Sequence, residues 1–156
     1  MSKHCIQNQE QVCEVVEGLN IYLANLNILF VKLHNMHWNV VGIGFFDLHE
    51  QTQILYEAIA DKFDAVAERI KMLGYQPLAS TQDYLEVATI RELPNTNLSS
   101  QRVAEIIIDD FCCMVSLLKK IKNMIKDANE DCGLLGEGIC FFEKYIWFFN
   151  AYLTRC

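Results

Sequence analysis

The sequence predicts an all-α protein: an up-and-down four-helix bundle with one long crossover and a short extra helix between helices two and three. Three observations predict it. Leu19, Leu23, Leu26, Leu29, Phe30 and Leu33 recur at three- and four-residue steps, the period of a helix with one apolar face. The stretch from Asp47 to Leu73 holds neither proline nor glycine, and Gly74 stands where a helix is commonly closed. The run IIIDDFCCMVSLL and an aromatic-rich C-terminal stretch supply the apolar faces of two more helices.

Helix one is expected from Gln9 to Trp38. Gly42 and Gly44 break the chain after it, and Asp47 is the expected N-cap of helix two, which reaches Leu73. Pro77 falls in the next loop, and TQDYLEVA suggests a short helix from Thr81 to Ala88. RELPNTNLSS is a loop by composition. Helix three is expected from Ser100 to Asp127. Helix four starts weakly, because CGLLGEG places three glycines in seven residues. It becomes convincing only from Ile139, where Phe141, Phe142, Tyr145, Trp147, Phe148, Phe149 and Tyr152 follow. No repeat, linker or low-complexity segment divides the chain, so residues 1–156 are read as a single domain.

At 156 residues and 52% apolar composition, the chain can bury one full core and still cover surface between subunits. It has no 18-residue apolar run, so no membrane span is expected. Its first residues, MSKHCIQNQEQVC, lack the apolar segment of a secretory leader, and a cytoplasmic location is inferred. The net charge of −7 argues against a bare DNA-binding surface and favours cations. Cys5, Cys13, Cys112, Cys113, Cys132, Cys140 and Cys156 form no C-x-x-C pair and no zinc spacing. They read as reduced thiols, several of them core filler, with a redox or metal-scavenging role open for exposed ones such as Cys5 or Cys156.

The chemistry concentrates between Lys32 and Gly74, which hold His34, His37 and His49. His37 and His49 are twelve residues apart, on either side of the loop VVGIGF. On helix two, Asp64 and Glu68 are one turn apart, as are His49 and Gln53. The two pairs are offset by only about 60° around the axis, yet His49 and Asp64 are about 22 Å apart along it. Metal–ligand bonds are about 2 Å, so no single ion touches both on one straight helix. Either the pairs serve separate ends, or a second chain brings its histidine end to this chain's acidic end. Two antiparallel copies about a two-fold axis would make two equivalent sites per dimer.

This stretch resembles the signature of the Dps family, the ferritin-like mini-ferritins. The matching residues are His37-Trp38, Gly42, Phe45-Phe46, Leu48-His49-Glu50, Tyr56, Asp64, Ala67-Glu68-Arg69 and Leu73-Gly74, with Ile146-Trp147 near the C-terminus. The helix order agrees over nearly all of the chain. The resemblance implies a ferritin-like bundle and a ferroxidase site between subunits, where His37 and His49 of one chain meet Asp64 and Glu68 of its partner. It also implies iron as the metal, hydrogen peroxide as the preferred oxidant, and a hollow twelve-subunit shell that stores ferric mineral. DNA would be protected indirectly, by keeping Fe²⁺ from Fenton chemistry. The family usually has an acid four residues after the second histidine. Gln53 stands there instead, a neutral and weaker ligand, and the loss is expected chiefly in the second iron position and in rate. Some members bind DNA through a Lys-rich N-terminal tail, but only Lys3 precedes helix one here, so direct DNA binding is not expected. The acids Asp127, Glu130 and Asp131 read either as pore residues on three-fold axes or as a solvated turn.

Each site residue also has a plainer reading. A lone histidine at a helix end usually caps or packs, and acids one turn apart are common on solvated faces. Like charges one turn apart repel, however, and a cation relieves them. Two imidazoles and two carboxylates suit Fe²⁺. His34 is read as a surface or structural residue, and for Trp38 and Tyr56 core packing is preferred over radical quenching. Two other functions compete. One is a shell that has lost catalysis through Gln53 and acts as a passive store or nucleoid partner. The other is a ferritin-group bundle with an intra-chain di-iron centre, which needs Glu-x-x-His motifs that do not occur.

Overall fold

The structure, a computed structural model, describes residues 3–125 and 131–154, with side chains over 12–125 and 133–154. Its elements are α1 (Lys3–Asn39), β1 (Val40–Val41), α2 (Phe45–Met72), α3 (Thr81–Val87), β2 (Leu98–Ser99), α4 (Ser100–Met124) and α5 (Asp131–Leu153). This is the predicted bundle of four long helices with a short helix between the second and third. α1 packs chiefly on α2, α4 packs chiefly on α5, and α1 also meets α4. Leu19, Leu23, Leu26, Leu29 and Leu33 are all buried, on the face their spacing marks.

The strands were not foreseen, because two residues of pairing leave no alternation to read. They fix the topology nonetheless. β1 pairs in parallel with β2, Val40 opposite Leu98 and Val41 opposite Ser99. The end of α1 therefore lies beside the start of α4, and α2 begins at that same end. α2 and α4 run in one direction, so residues 73–99 must return the length of the bundle.

Asparagines of α1 hold this returning strap. Asn20 Oδ1 accepts from the Leu78 N–H at 3.0 Å. Asn25 Oδ1 accepts from the N–H groups of Thr89 and Ile90 at 2.7 and 3.1 Å, and its amide donates to Thr89 Oγ1 at 2.9 Å. Asn35 donates to the Leu93 carbonyl at 3.2 Å. Successive asparagines along α1 meet successive residues of the strap, so the strap runs parallel to α1. Asn25 is fully buried, and without it the strap's covered N–H groups would lack acceptors.

Four boundaries differ from expectation. α2 begins at Phe45, and its N-cap is Gly44 rather than Asp47. Gly44 adopts φ +85°, a conformation that strains any residue with a side chain, and a Cβ there would also press on the Tyr152 hydroxyl. Asp47 lies instead in the first turn, where its charge favours the helix N-terminus. α5 runs through Gly133, Gly136 and Gly138 rather than starting near Ile139. At Gly138 the missing side chain permits close packing, since a Cβ would come within 3.0 Å of both Leu118 Cδ1 and the Tyr22 hydroxyl. α1 begins at Lys3, ahead of Gln9, and α4 ends at Met124. Asp127 and Glu130 lie outside the described residues, as does the Asp131 side chain. The end of α2 is as predicted: Gly74 follows it at φ +85°, and the Tyr75 N–H donates to the Ile70 carbonyl at 3.1 Å.

Among the described residues one helical stretch, Val12–Asn39, is long and apolar enough to cross a membrane by length and composition, although the sequence has no unbroken apolar run. Most of it is buried in the bundle, and it carries the strap's asparagines, so it is a core helix. It also carries a buried ion pair, Lys32 Nζ to Asp110 Oδ2 at 2.6 Å, which ties α1 to α4. Burial holds the Asp110 carboxyl above its ordinary range, while the Lys32 ammonium draws it back and Asp109 pushes it up.

Candidate metal centre

The turn between α1 and α2 brings two histidines together. His37 is in the last turn of α1 and His49 in the second turn of α2. His37 Nδ1 lies 2.7 Å from the His49 carbonyl oxygen, and His49 Nδ1 lies 2.8 Å from the His37 carbonyl oxygen. The rings stack, with centroids 3.7 Å apart and planes 19° from parallel. A carbonyl only accepts, so each Nδ1 carries a proton, and in the neutral imidazole the lone pair then lies on Nε2. This is the tautomer a metal requires, oriented by backbone carbonyls. Thr52 Oγ1 stands 3.2 Å from His37 Nδ1 and donates to the Leu48 carbonyl at 2.6 Å. Burial holds the His37 imidazole below its ordinary pKa; the His49 carbonyl opposes this, and His49 and His34 reinforce it. The ring thus stays in its neutral, ligating form.

The other expected ligands lie elsewhere on α2. Asp64 and Glu68 are exposed and make no hydrogen bond or ion pair with another described residue. They remain fifteen residues or more beyond His49, and among the described residues no group of three or more His, Cys, Asp or Glu side chains gathers to hold a metal. Gln53 is exposed one turn after His49, and its amide nitrogen donates to Glu57 Oε1 at 3.0 Å. Only its carbonyl oxygen is left as a ligand atom.

His34 is structural, as expected: its Nδ1 donates to the Phe30 carbonyl at 2.8 Å and its ring stacks on Tyr56 at 3.8 Å. Trp38 is not core packing, being 70% exposed in the single chain. The cysteines also depart from expectation. Cys13, Cys112, Cys113 and Cys140 are free and exposed rather than core filler. They occupy outward faces of α1, α4 and α5, while Phe111, Met114 and Phe142 fill the core beside them. The side chains of Cys5, Cys132 and Cys156 lie outside the described residues. Sequence reasoning missed Thr52 and the strap asparagines; the signal present was a polar side chain at core spacing in an apolar helix.

Residues 16–156 match the ferritin-like domain family. Over 91% of its length the chain is 35% identical to DNA protection during starvation protein 2 of Bacillus anthracis, covering 98% of that protein. The chain belongs to the Dps family. Among solved structures, a Dps protein from Bacillus brevis superposes with a TM-score of 0.88 at 33% identity, covering 93% of this chain and 98% of that one. The Dps protein from Vibrio cholerae O1, described as a member of a broad superfamily of ferritin-like diiron-carboxylate proteins, gives 0.87 at 27% identity, with 93% and 92% covered. The bundle of this Dps-family chain is thus ferritin-like, as the resemblance implied.

Proposed function

We propose that this Dps-family protein oxidises Fe²⁺ at sites shared between subunits and stores the ferric product in a hollow shell. The observation that carries the proposal is the half-built site. His37 and His49 each turn Nε2 away from the carbonyl that Nδ1 grips, and among the described residues no third His, Cys, Asp or Glu gathers with them. Asp64 and Glu68 of a second copy, related by a two-fold axis, complete the ligand set. Exposed Trp38, Ile43 and Phe46, at the histidine end of the helices, favour burial against another copy. The carboxylates stabilise Fe³⁺ over Fe²⁺, and the histidines hold the metal without adding charge. Hydrogen peroxide is the oxidant: two Fe²⁺ give up one electron each, the O–O bond breaks, and two hydroxide ions form. Oxygen is the slower substitute. Pairwise oxidation releases no hydroxyl radical, and the cell and its DNA are protected from oxidative damage without being bound. The assembly is a homo-oligomer of twelve subunits, and its location is cytoplasmic.

A second reading rests on Gln53. Its amide is neutral and its nitrogen is engaged by Glu57, so the site would bind a second iron weakly and the shell would act as a passive store. Anaerobic addition of Fe²⁺ to the metal-free protein, followed by peroxide, separates the two. The ferroxidase predicts ferric absorbance rising far faster than in a protein-free control, with one peroxide consumed per two Fe²⁺ and a soluble product. A rate equal to the control would leave the passive store.

A further inference from the structure

Between α1, α2 and α5 lies a cleft of about 290 Å³ that the iron chemistry does not use. Ala58, Val66, Leu134 and Phe141 wall it, and Tyr22 closes its floor. Tyr22 is only 2% exposed, and its hydroxyl has no hydrogen-bond partner among the described residues. The rest of the side chain is buried, so the hydroxyl reaches a partner only through the cleft it lines. Gly138 keeps the floor open, since a Cβ there would stand 3.0 Å from the Tyr22 hydroxyl. Half-buried Lys62 holds its Nζ 4.3 Å from the centroid of the Phe141 ring, with no carboxylate at ion-pair distance among the described residues. Exposed Asp61 and Glu137 stand at the rim. Lys62 and Asp64 are roughly 200° apart around α2, so the cleft opens on a different face from the proposed iron ligands.

We propose that this cleft binds a small organic monocarboxylate, its oxygens accepting hydrogen bonds from Tyr22 Oη and Lys62 Nζ and its apolar body lying against Phe141 and the aliphatic wall. The polar groups offered by Tyr22 and Lys62 are both donors, which selects an acceptor. The ammonium favours a negative charge beside it, while Asp61 and Glu137 oppose every anion and a dianion most, which leaves a monoanion as the species admitted. The volume suits a body about the size of one aromatic ring.

The test is a ¹⁹F NMR titration of 4-fluorobenzoate into the assembled, full-length protein. Saturable binding is expected, displaced by benzoate and hexanoate but not by benzamide or the dianion phthalate. Tyr22→Phe and Lys62→Met should each weaken it about tenfold or more, the worth of a hydrogen bond to a charged group. Asp61→Asn should tighten it. No saturable binding at millimolar probe would overturn the proposal, as would unchanged affinity in a Lys62→Met variant whose unfolding transition matches that of the native protein. Weaker binding in Asp61→Asn would do the same, because it would mark a site built for cations.

Discussion

His37 and His49 each use one ring nitrogen to grip the other's backbone, so neither ring can turn without breaking a hydrogen bond. Their residue types and spacing were legible in the sequence. Their tautomer was not, because it depends on a turn that sets two carbonyls opposite two rings. Changing both to Ala should abolish rapid iron oxidation and leave the assembled shell intact; unchanged stopped-flow traces would remove them from the site. Gln53→Asp restores the carboxylate that the Dps pattern carries and should speed oxidation or tighten the second iron in an anaerobic titration. Slower oxidation in that variant would identify the glutamine as a tuned ligand. Asn25 makes three hydrogen bonds from one buried side chain. Asn25→Leu strands two backbone N–H groups and should cost on the order of 3 kcal/mol in urea unfolding. Its local sequence marked it only as a polar side chain at core spacing, and an isolated asparagine in an apolar helix gives no hint of a partner more than sixty residues away.

Among the elements, α1 and α4 are joined by a charge pair within the core as well as by apolar contact. Lys32→Met alone leaves the Asp110 carboxylate buried without its cation and should destabilise by about 3–5 kcal/mol, whereas Lys32→Met with Asp110→Leu should be close to neutral. Calorimetry on the single and double variants measures the difference. The pair also gives a pH signature. Burial raises the Asp110 pKa from its ordinary 3.8, so the folded protein holds this proton more tightly than the unfolded chain. That contribution is fully present below about pH 3.8 and is lost as pH rises through the raised value. The stability of the native protein minus that of Asp110→Asn should therefore fall across that window, and a rising difference would contradict the assignment. The helices themselves were readable from periodicity. The start of α5 was not, because glycine signals a weak helix in isolation, while at Gly138 it signals a close approach that only the packed neighbours reveal.

At the scale of the whole molecule, a net charge of −7 sets what the surface attracts. Gel-shift experiments near neutral pH should show no retention of DNA, and salt-sensitive retention would reverse that expectation. That one chain cannot bring both pairs to a single ion was legible in the sequence alone, from the length of a helix against the length of a metal–ligand bond; it left either separate roles for the pairs or a second copy. The crossover was expected, but its attachment was not, because the asparagines and the strand pair act between segments far apart in sequence.

That attachment has a consequence for how the chain meets a protease. Residues 73–99 are the longest stretch outside the four bundle helices among the described residues, and such a stretch is the usual place to be nicked. A protease must peel several residues of backbone from the surface before it can cut, and here the backbone is the part held down. Cleavage of this stretch should wait on release of the Asn25 bonds, so a sharp gain in nicking in Asn25→Leu, with the bundle still folded, would show that the strap opens as a unit of its own.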